Sequence, residues 1–184
     1  MPPEKFWHLE TERLWLSPWS DADLENARPI FTDPDVMRYI NGGLPLMDDE
    51  IRKFIARQQN YFRSRGFCLW KLLLKAEGRF IGFCGLQPLE LDGASEIEIG
   101  WRLVKEQWGR GLATEAAAEA LRDIVSRARL SRFIAIAMPE NRASLRVMKK
   151  LGMKFERATH KGGFDVVVYA RHFSPDKISQ SGGI

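Results

Sequence analysis

The sequence predicts a mixed α/β (α+β) domain, a mostly antiparallel sheet flanked by helices, and three stretches decide this. Phe67 to Leu74 and Arg79 to Leu89 are nearly continuous apolar runs joined by Ala76-Glu77-Gly78, which reads as a hairpin of central strands. Ile97, Ile99, Trp101 and Leu103 alternate at period two, as in a strand with one buried face, and Ala113, Ala117, Ala120, Leu121, Ile124 and Ala128 then recur at helical spacing. Arg132 to Ala137 follows that helix as a short buried strand, and a strand, helix, strand connection makes the pair parallel.

The other elements fall around these. Glu12 to Trp19 alternates as a first strand ended by Pro18, and Ser20 or Asp21 then caps a short helix running to Ala27. Thr32-Asp33-Pro34-Asp35 offers a cap with proline at a first helical position and leads into a second helix, Val36 to Ile40, stopped by Asn41-Gly42-Gly43. From Asp48 a longer helix aligns Ile51, Phe54, Ile55, Gln58, Tyr61 and Phe62 on one stripe and stops at Gly66. Leu91-Asp92-Gly93-Ala94 turns the chain into the strand Glu96 to Leu103. Asn141-Arg142-Ala143-Ser144 opens a helix that ends at Leu151, with Gly152 as its stop. Phe155 to His160 and Phe164 to His172, joined at Lys161-Gly162-Gly163, make a last hairpin. Residues 1–173 are expected to form one domain, and the polar tail 174–184 has nothing to bury and is expected to be disordered.

At 184 residues, such a domain buries about two-thirds of the surface its unfolded chain exposes. With 45% hydrophobic and 28% charged residues the composition is that of a soluble globule, and no apolar run approaches the ~20 residues a membrane span needs. The opening residues lack the layout of a secretory signal, so no membrane partner and a cytoplasmic location are expected. A formal charge of +4, with no block of five like charges, gives a nucleic-acid partner little support. His8, His160 and His172 lack ligand spacing, so no metal is expected. Cys68 and Cys84 sit inside apolar runs and read as small buried hydrophobes.

The chemistry is concentrated at Trp108-Gly109-Arg110-Gly111-Leu112-Ala113-Thr114, where a strand turns into a helix. Glycines let the backbone take conformations closed to other residues, and the first amides of the helix point outward to meet an anion, a pyrophosphate above all. The spacing is neither a Walker loop nor a dinucleotide fingerprint. Alone, this Gly-x-Gly equally serves a turn with nothing bound.

Read together, Glu98-Ile99-Gly100-Trp101-Arg102-Leu103 and, after four residues, Trp108 to Ala116 closely resemble the acetyl-CoA loop of the GCN5-related N-acetyltransferases (GNAT), with the RimJ/RimL branch as the nearest match. The family pattern there is Gln or Arg, two residues, Gly, one residue, then Gly or Ala. Gly111 and Ala113 hold the small places, and Trp108 departs from the broad pattern as that branch often does. The resemblance runs from Thr11 to Phe173, and Thr11-Glu12-Arg13-Leu14-Trp15-Leu16 resembles the family's first strand.

The resemblance implies the GNAT fold, with a sheet of about seven strands, a splayed parallel pair and a bulge in the strand before the loop. It implies transfer of the acetyl group of acetyl-CoA to a primary amine, on a protein N-terminus or a small molecule, by direct attack in a ternary complex. Acetyl-CoA would be held by the backbone of Trp101 and Leu103, whose amide would polarise the thioester, and by Trp108, Gly109, Arg110, Gly111, Leu112, Ala113, Thr114, Asn141 and Ser144. Glu98, opposite in parity to Ile97, Ile99 and Trp101, is the candidate base, with a solvated strand carboxylate as the alternative. The family often places an acidic Tyr where this chain has Met148, so Ser144 in Asn-x-x-Ser is the substitute acid. Asn141 is equally an N-cap and Ser144 a first-turn residue. Phe31 and Tyr39, at the edges of short helices beside loops, are acceptor-site candidates with core packing as the alternative, which is preferred for Phe62. The acceptor is unnamed by any of this, and the family allows a homodimer. A silent CoA-binding module with the same loop is the rival from another class, and nucleic-acid binding ranks below both.

Overall fold

In the computed structural model, residues 8–128 and 130–173 are described; the tail expected to be disordered lies outside them. Eight strands form one sheet in the order β1-β2-β3-β4-β5-β6-β8-β7, mixed and mostly antiparallel as predicted. They are β1 (Leu9–Glu10), β2 (Leu14–Ser17), β3 (Leu69–Leu74), β4 (Arg79–Leu91), β5 (Ala94–Leu103), β6 (Arg132–Ala137), β7 (Lys154–Lys161) and β8 (Phe164–His172). The strand beyond the seven predicted is β1, two residues that pair with Leu16 and Trp15 of β2, too short to leave a periodic pattern.

Among the described residues five α-helices flank the sheet: α1 (Leu24–Thr32), α2 (Pro34–Met37), α3 (Asp48–Arg65), α4 (Leu112–Ala128) and α5 (Arg142–Lys150). On one face α4 lays Leu112, Ala116, Ala117, Ala120 and Ile124 onto Leu14, Leu72, Ile81 and Ile99. Its small residues let helix and sheet approach closely. On the other face Ile30 and Phe31 of α1 and Ile51, Phe54 and Ile55 of α3 pack on Leu69 and Phe83. This second core accounts for one departure: α1 does not stop at Ala27 but runs through Pro29 to Thr32, because Ile30 and Phe31 are fully buried there and outweigh the lost backbone bond. By contrast α2 ends early, at Met37. Asn41, Gly42 and Gly43 then turn the chain with φ of +50°, +65° and +80°.

The expected bulge before the loop is not where the family pattern put it. β5 runs opposite β4 without a shift from Ala94 to Leu103, and the irregularity falls between Leu72 and Leu73 in the β3–β4 ladder. The parallel pair is splayed nevertheless, since β5 and β6 register only at Glu98↔Ile134 and then part. At the parting end β4 presses close behind β5: a Cβ on Gly82 (φ +143°) would strike the carbonyl of Arg102 and stand 2.9 Å from Leu103 Cα.

Gly82→Ala should therefore destabilise the fold by about 3 kcal/mol or more, combining a forbidden backbone conformation with a backbone clash. Gly78→Ala, at φ +63° with open space around it, should cost about 1–2 kcal/mol. Urea denaturation of both checks this, and equal losses would contradict the close approach.

Candidate functional site

A cleft of about 530 Å³ opens where β5 and β6 separate. Val104 N–H donates to Ile81 O at 2.9 Å, so by strand alternation the even residues of β5 bond β4 and the odd ones turn their backbone toward β6. Past Glu98 no β6 residue pairs with β5, so Trp101 and Leu103 face the cleft with backbone groups that lack a ladder partner. The Leu103 carbonyl is taken by the indole Nε1–H of Trp108 at 2.8 Å. That bond seals the strand end and leaves the Leu103 amide toward the opening.

The glycine loop forms the mouth. Gly109 and Gly111 hold φ of +73° and +80°, and the first bond of α4 runs from Glu115 N–H to Gly111 O at 3.0 Å. The amides from Gly111 to Thr114 thus have no partner inside the helix, and all four residues line the cleft with Gly109 and Trp108. The loop is clamped from outside. Glu115 accepts from the Arg13 backbone N–H at 3.0 Å, from Arg13 Nε at 2.7 Å and from the Thr11 hydroxyl, while Arg13 Nη1 donates to the carbonyl of Arg110 at 3.1 Å. A carboxylate in the first turn also suits the helix dipole. Arg110 does not line the cleft itself; its Nη1 donates to Oε1 of Gln107, which does, at 2.7 Å.

The opposite wall is α5. Asn141 Oδ1 accepts the Ser144 N–H at 3.1 Å, so the residue does cap the helix, and both residues line the cleft. The Ser144 hydroxyl bonds none of the described residues and is free for a guest. Met148, where many relatives would carry a tyrosine, is fully buried in the main core and far from any catalytic use.

Glu98 occupies the closed end of the splay and does not line the cleft. Nor is it fully solvated: the residue is half-buried. Its side chain shares the α1/α3 face with Gly100 and Arg102 and ends a line of amides that begins in the core: Leu69 N–H donates to Oε1 of the buried Gln58 (2.9 Å), Gln58 Nε2 to Oε1 of the half-buried Gln87 (3.2 Å), and Gln87 Nε2 to Glu98 Oε2 (2.9 Å). Burial pushes the Glu98 pKa above the ordinary carboxylate value, opposed by the Gln87 bond and by the charge of Lys161. The sequence places Gln58 on the stripe of α3 but gives it no role, and Gln87 was not singled out. The available signal was a fully buried glutamine on the apolar stripe of α3.

Of the two acceptor candidates, Tyr39 lines the cleft beside Arg38, whose guanidinium lies 5.4 Å from its ring. Phe31 does not reach it: the ring is 1% exposed, 4.9 Å from Phe54 and 5.8 Å from Phe83. Cys68 and Cys84 are buried thiols whose pKa burial drives upward.

The sheet thus opens at its parallel pair, with helix amides that lack an intrahelical partner at the mouth of the opening. Comparison with known proteins gives the family. Residues 13–154 match the acetyltransferase (GNAT) domain model, and the chain belongs to that family, as an acyl-CoA-dependent acetyltransferase. It is 32% identical to the protein YkkB of Bacillus subtilis (strain 168) over 165 residues, 89% of this chain and 94% of YkkB. A GNAT-family acetyltransferase structure from Bacillus anthracis superposes with a TM-score of 0.74 at 28% identity, covering 89% of this chain and 97% of that one. The ribosomal L7/L12 alpha-N-protein acetyltransferase RimL, solved with coenzyme A, superposes with a TM-score of 0.65 at 17% identity over 88% of this chain and 95% of RimL, a likeness of fold.

A carboxyl whose folded pKa is raised binds more protons folded than unfolded, so it subtracts stability as pH rises from the unfolded pKa through the folded one. Glu98→Gln should therefore melt higher than the wild type at pH 7, with the gap closing as the pH falls toward about 4.5. Thermal denaturation across that range checks it; a gap of constant size or opposite sign would contradict the burial of a charged carboxylate.

Proposed function

We propose that this chain is an N-acetyltransferase of the RimJ/RimL-like branch, passing the acetyl group of acetyl-CoA to a primary amine by direct attack in a ternary complex. The observation that carries the reading is the opened β5–β6 pair, with unpartnered helix amides at its mouth and a desolvated carboxylate at its closed end. The pyrophosphate would rest on the amides of Gly111 to Thr114, and the pantetheine arm would pair as a strand with the free backbone of Trp101 and Leu103. Trp108 at the loop and Asn141-x-x-Ser144 on α5 support the branch.

The chemistry then follows in order. Glu98 takes a proton from the acceptor ammonium through one water, helped by a pKa nearer neutrality than that of an exposed carboxylate. The amine attacks the thioester carbon, and the oxyanion that forms accepts a backbone N–H. Trp101 stands about 10 Å along the strand from Glu98 and Leu103 about 17 Å, so the Trp101 amide is the better donor and Leu103 holds the arm. The tetrahedral species collapses, the C–S bond breaks, and the departing thiolate takes a hydrogen bond or proton from Ser144, whose hydroxyl regains any proton it gives from the second N–H proton shed by the attacking nitrogen.

Gly111→Asp should lower acetyl-CoA affinity by about 100-fold or more, because it places bulk and negative charge where phosphates sit. Since φ of +80° strains any side chain there, Gly111→Ala is the control, with a smaller loss. Titration calorimetry on both decides it, and a folded Asp variant with unchanged affinity contradicts the cradle.

Thiol release with a panel of primary amines tests the reaction itself. Glu98→Gln should lower kcat by about 10²-fold or more with acetyl-CoA affinity unchanged, while Ser144→Ala should lower kcat by a smaller factor. Binding without thiol release from any amine would instead identify a silent CoA-binding module.

A further inference from the structure

Arg102 shares a face of β5 with Glu98 and is not used in the reaction above. Its guanidinium lies over the rings of Phe31 and Phe83, 5.0 and 5.1 Å from their centroids, and Nη1 meets Met37 Sδ at 3.5 Å. Nε is buried without a hydrogen-bond partner, and Nη2 bonds none of the described residues. Among the described residues no carboxylate pairs with it. Asp35, which lines the same cleft, is engaged with Lys105, and Glu98, on the same face of β5, with Gln87.

Burial lowers the Arg102 pKa only to about 10, so the group is cationic at neutral pH. An uncompensated cation in such a site is costly, and the aromatic faces offset only part of it. The remaining donors of a guanidinium match a carboxylate, which they grip in a fixed orientation. Arg102 lines the same cleft as Tyr39, on the side reached through α2. By parity its side chain leaves β5 on the α1/α3 face, away from α4, whose N-terminus supplies the phosphate cradle.

We propose that Arg102 is a specificity residue that binds a carboxylate of the acceptor, and that the acceptor is a small amino-carboxylic acid carrying its primary amine and its carboxylate in one molecule. The proposal rests on the transferase reading. A cleft of about 530 Å³ shared with the end of the acyl-CoA arm has room for a small acceptor. The geometry has a plain chemical consequence: the carboxylate satisfies Arg102 and so orients the amine toward the thioester, while Glu98 on the same strand face removes the ammonium proton.

The test measures kcat/KM by thiol release for a set of amino acids, each beside its α-amide and its decarboxylated amine, with the wild type, Arg102→Met and Arg102→Lys. The wild type should prefer the free carboxylate by about 100-fold, since its absence leaves the guanidinium unpaired. Arg102→Met should bring the carboxylated member down to the level of its amine partner, mainly through KM, and Arg102→Lys should keep part of the preference. Acetyl-CoA affinity by calorimetry reports that the variants are folded; should Arg102→Met fail this, the wild-type preference and Arg102→Lys carry the test. A wild type that accepts the decarboxylated amines equally well, or acetylates only peptide N-termini, overturns the proposal and leaves the transferase reading standing, as does a folded Arg102→Met that keeps the preference. A wild type that binds acetyl-CoA and acetylates no amine overturns both.

Discussion

A sheet does not ordinarily leave strand backbone groups without partners in its interior, and between β5 and β6 this molecule does so for everything beyond one residue pair. Glu98 and Ile134 register, and then the two strands diverge. The unpaired groups of Trp101 and Leu103 are an edge created in the middle of a sheet, with the affinity for an extended guest that an edge has. The rest of the fold is arranged to hold that edge open. β4 backs it in unbroken register as far as Leu103, where only glycine fits at position 82. α4 starts at its end and supplies free amides, and α5 stands off on the far side. Arg13 and Glu115 tie the loop to the start of β2, so the cradle is fixed before any ligand arrives.

Glu98 and Arg102, which share a face of β5, carry the electrostatic cost of this arrangement. Glu98 is desolvated yet held by a glutamine line that begins at a backbone amide of β3, which orients it without neutralising it. Arg102 is held by aromatic faces and a thioether, which orient it without pairing it. Neither arrangement favours the fold by itself. The closely packed cores on either side of the sheet supply the stability they subtract.

Much of this was legible in the sequence because it is local. The meander from Phe67 to Leu103, the glycine loop, the alanine-rich helix and the Asn141 cap each declare themselves within a dozen residues, and the structure has them in the predicted order. Features that depend on distant partners were not legible. The first helix read as ending at Ala27 until the burial of Ile30 and Phe31 is known, and Phe31 looked like a loop-edge binding residue until α3 covers it. The Gln58–Gln87–Glu98 line joins three elements that no local pattern connects. Arg110 lies inside the loop motif yet does not line the cleft, its guanidinium being taken up by Gln107. Side-chain direction at the end of a strand is set by such contacts rather than by the motif.

The central claim, that the parted strands and the helix amides hold the acyl-CoA arm, is tested most directly by amide hydrogen exchange resolved by NMR, with and without acetyl-CoA. Protection should appear at Trp101, Leu103 and Gly111 to Thr114, while the Arg102 amide, already bonded to β4, changes little. Saturating acetyl-CoA that leaves those amides exchanging at their free rates, or protects a different surface, would contradict the account.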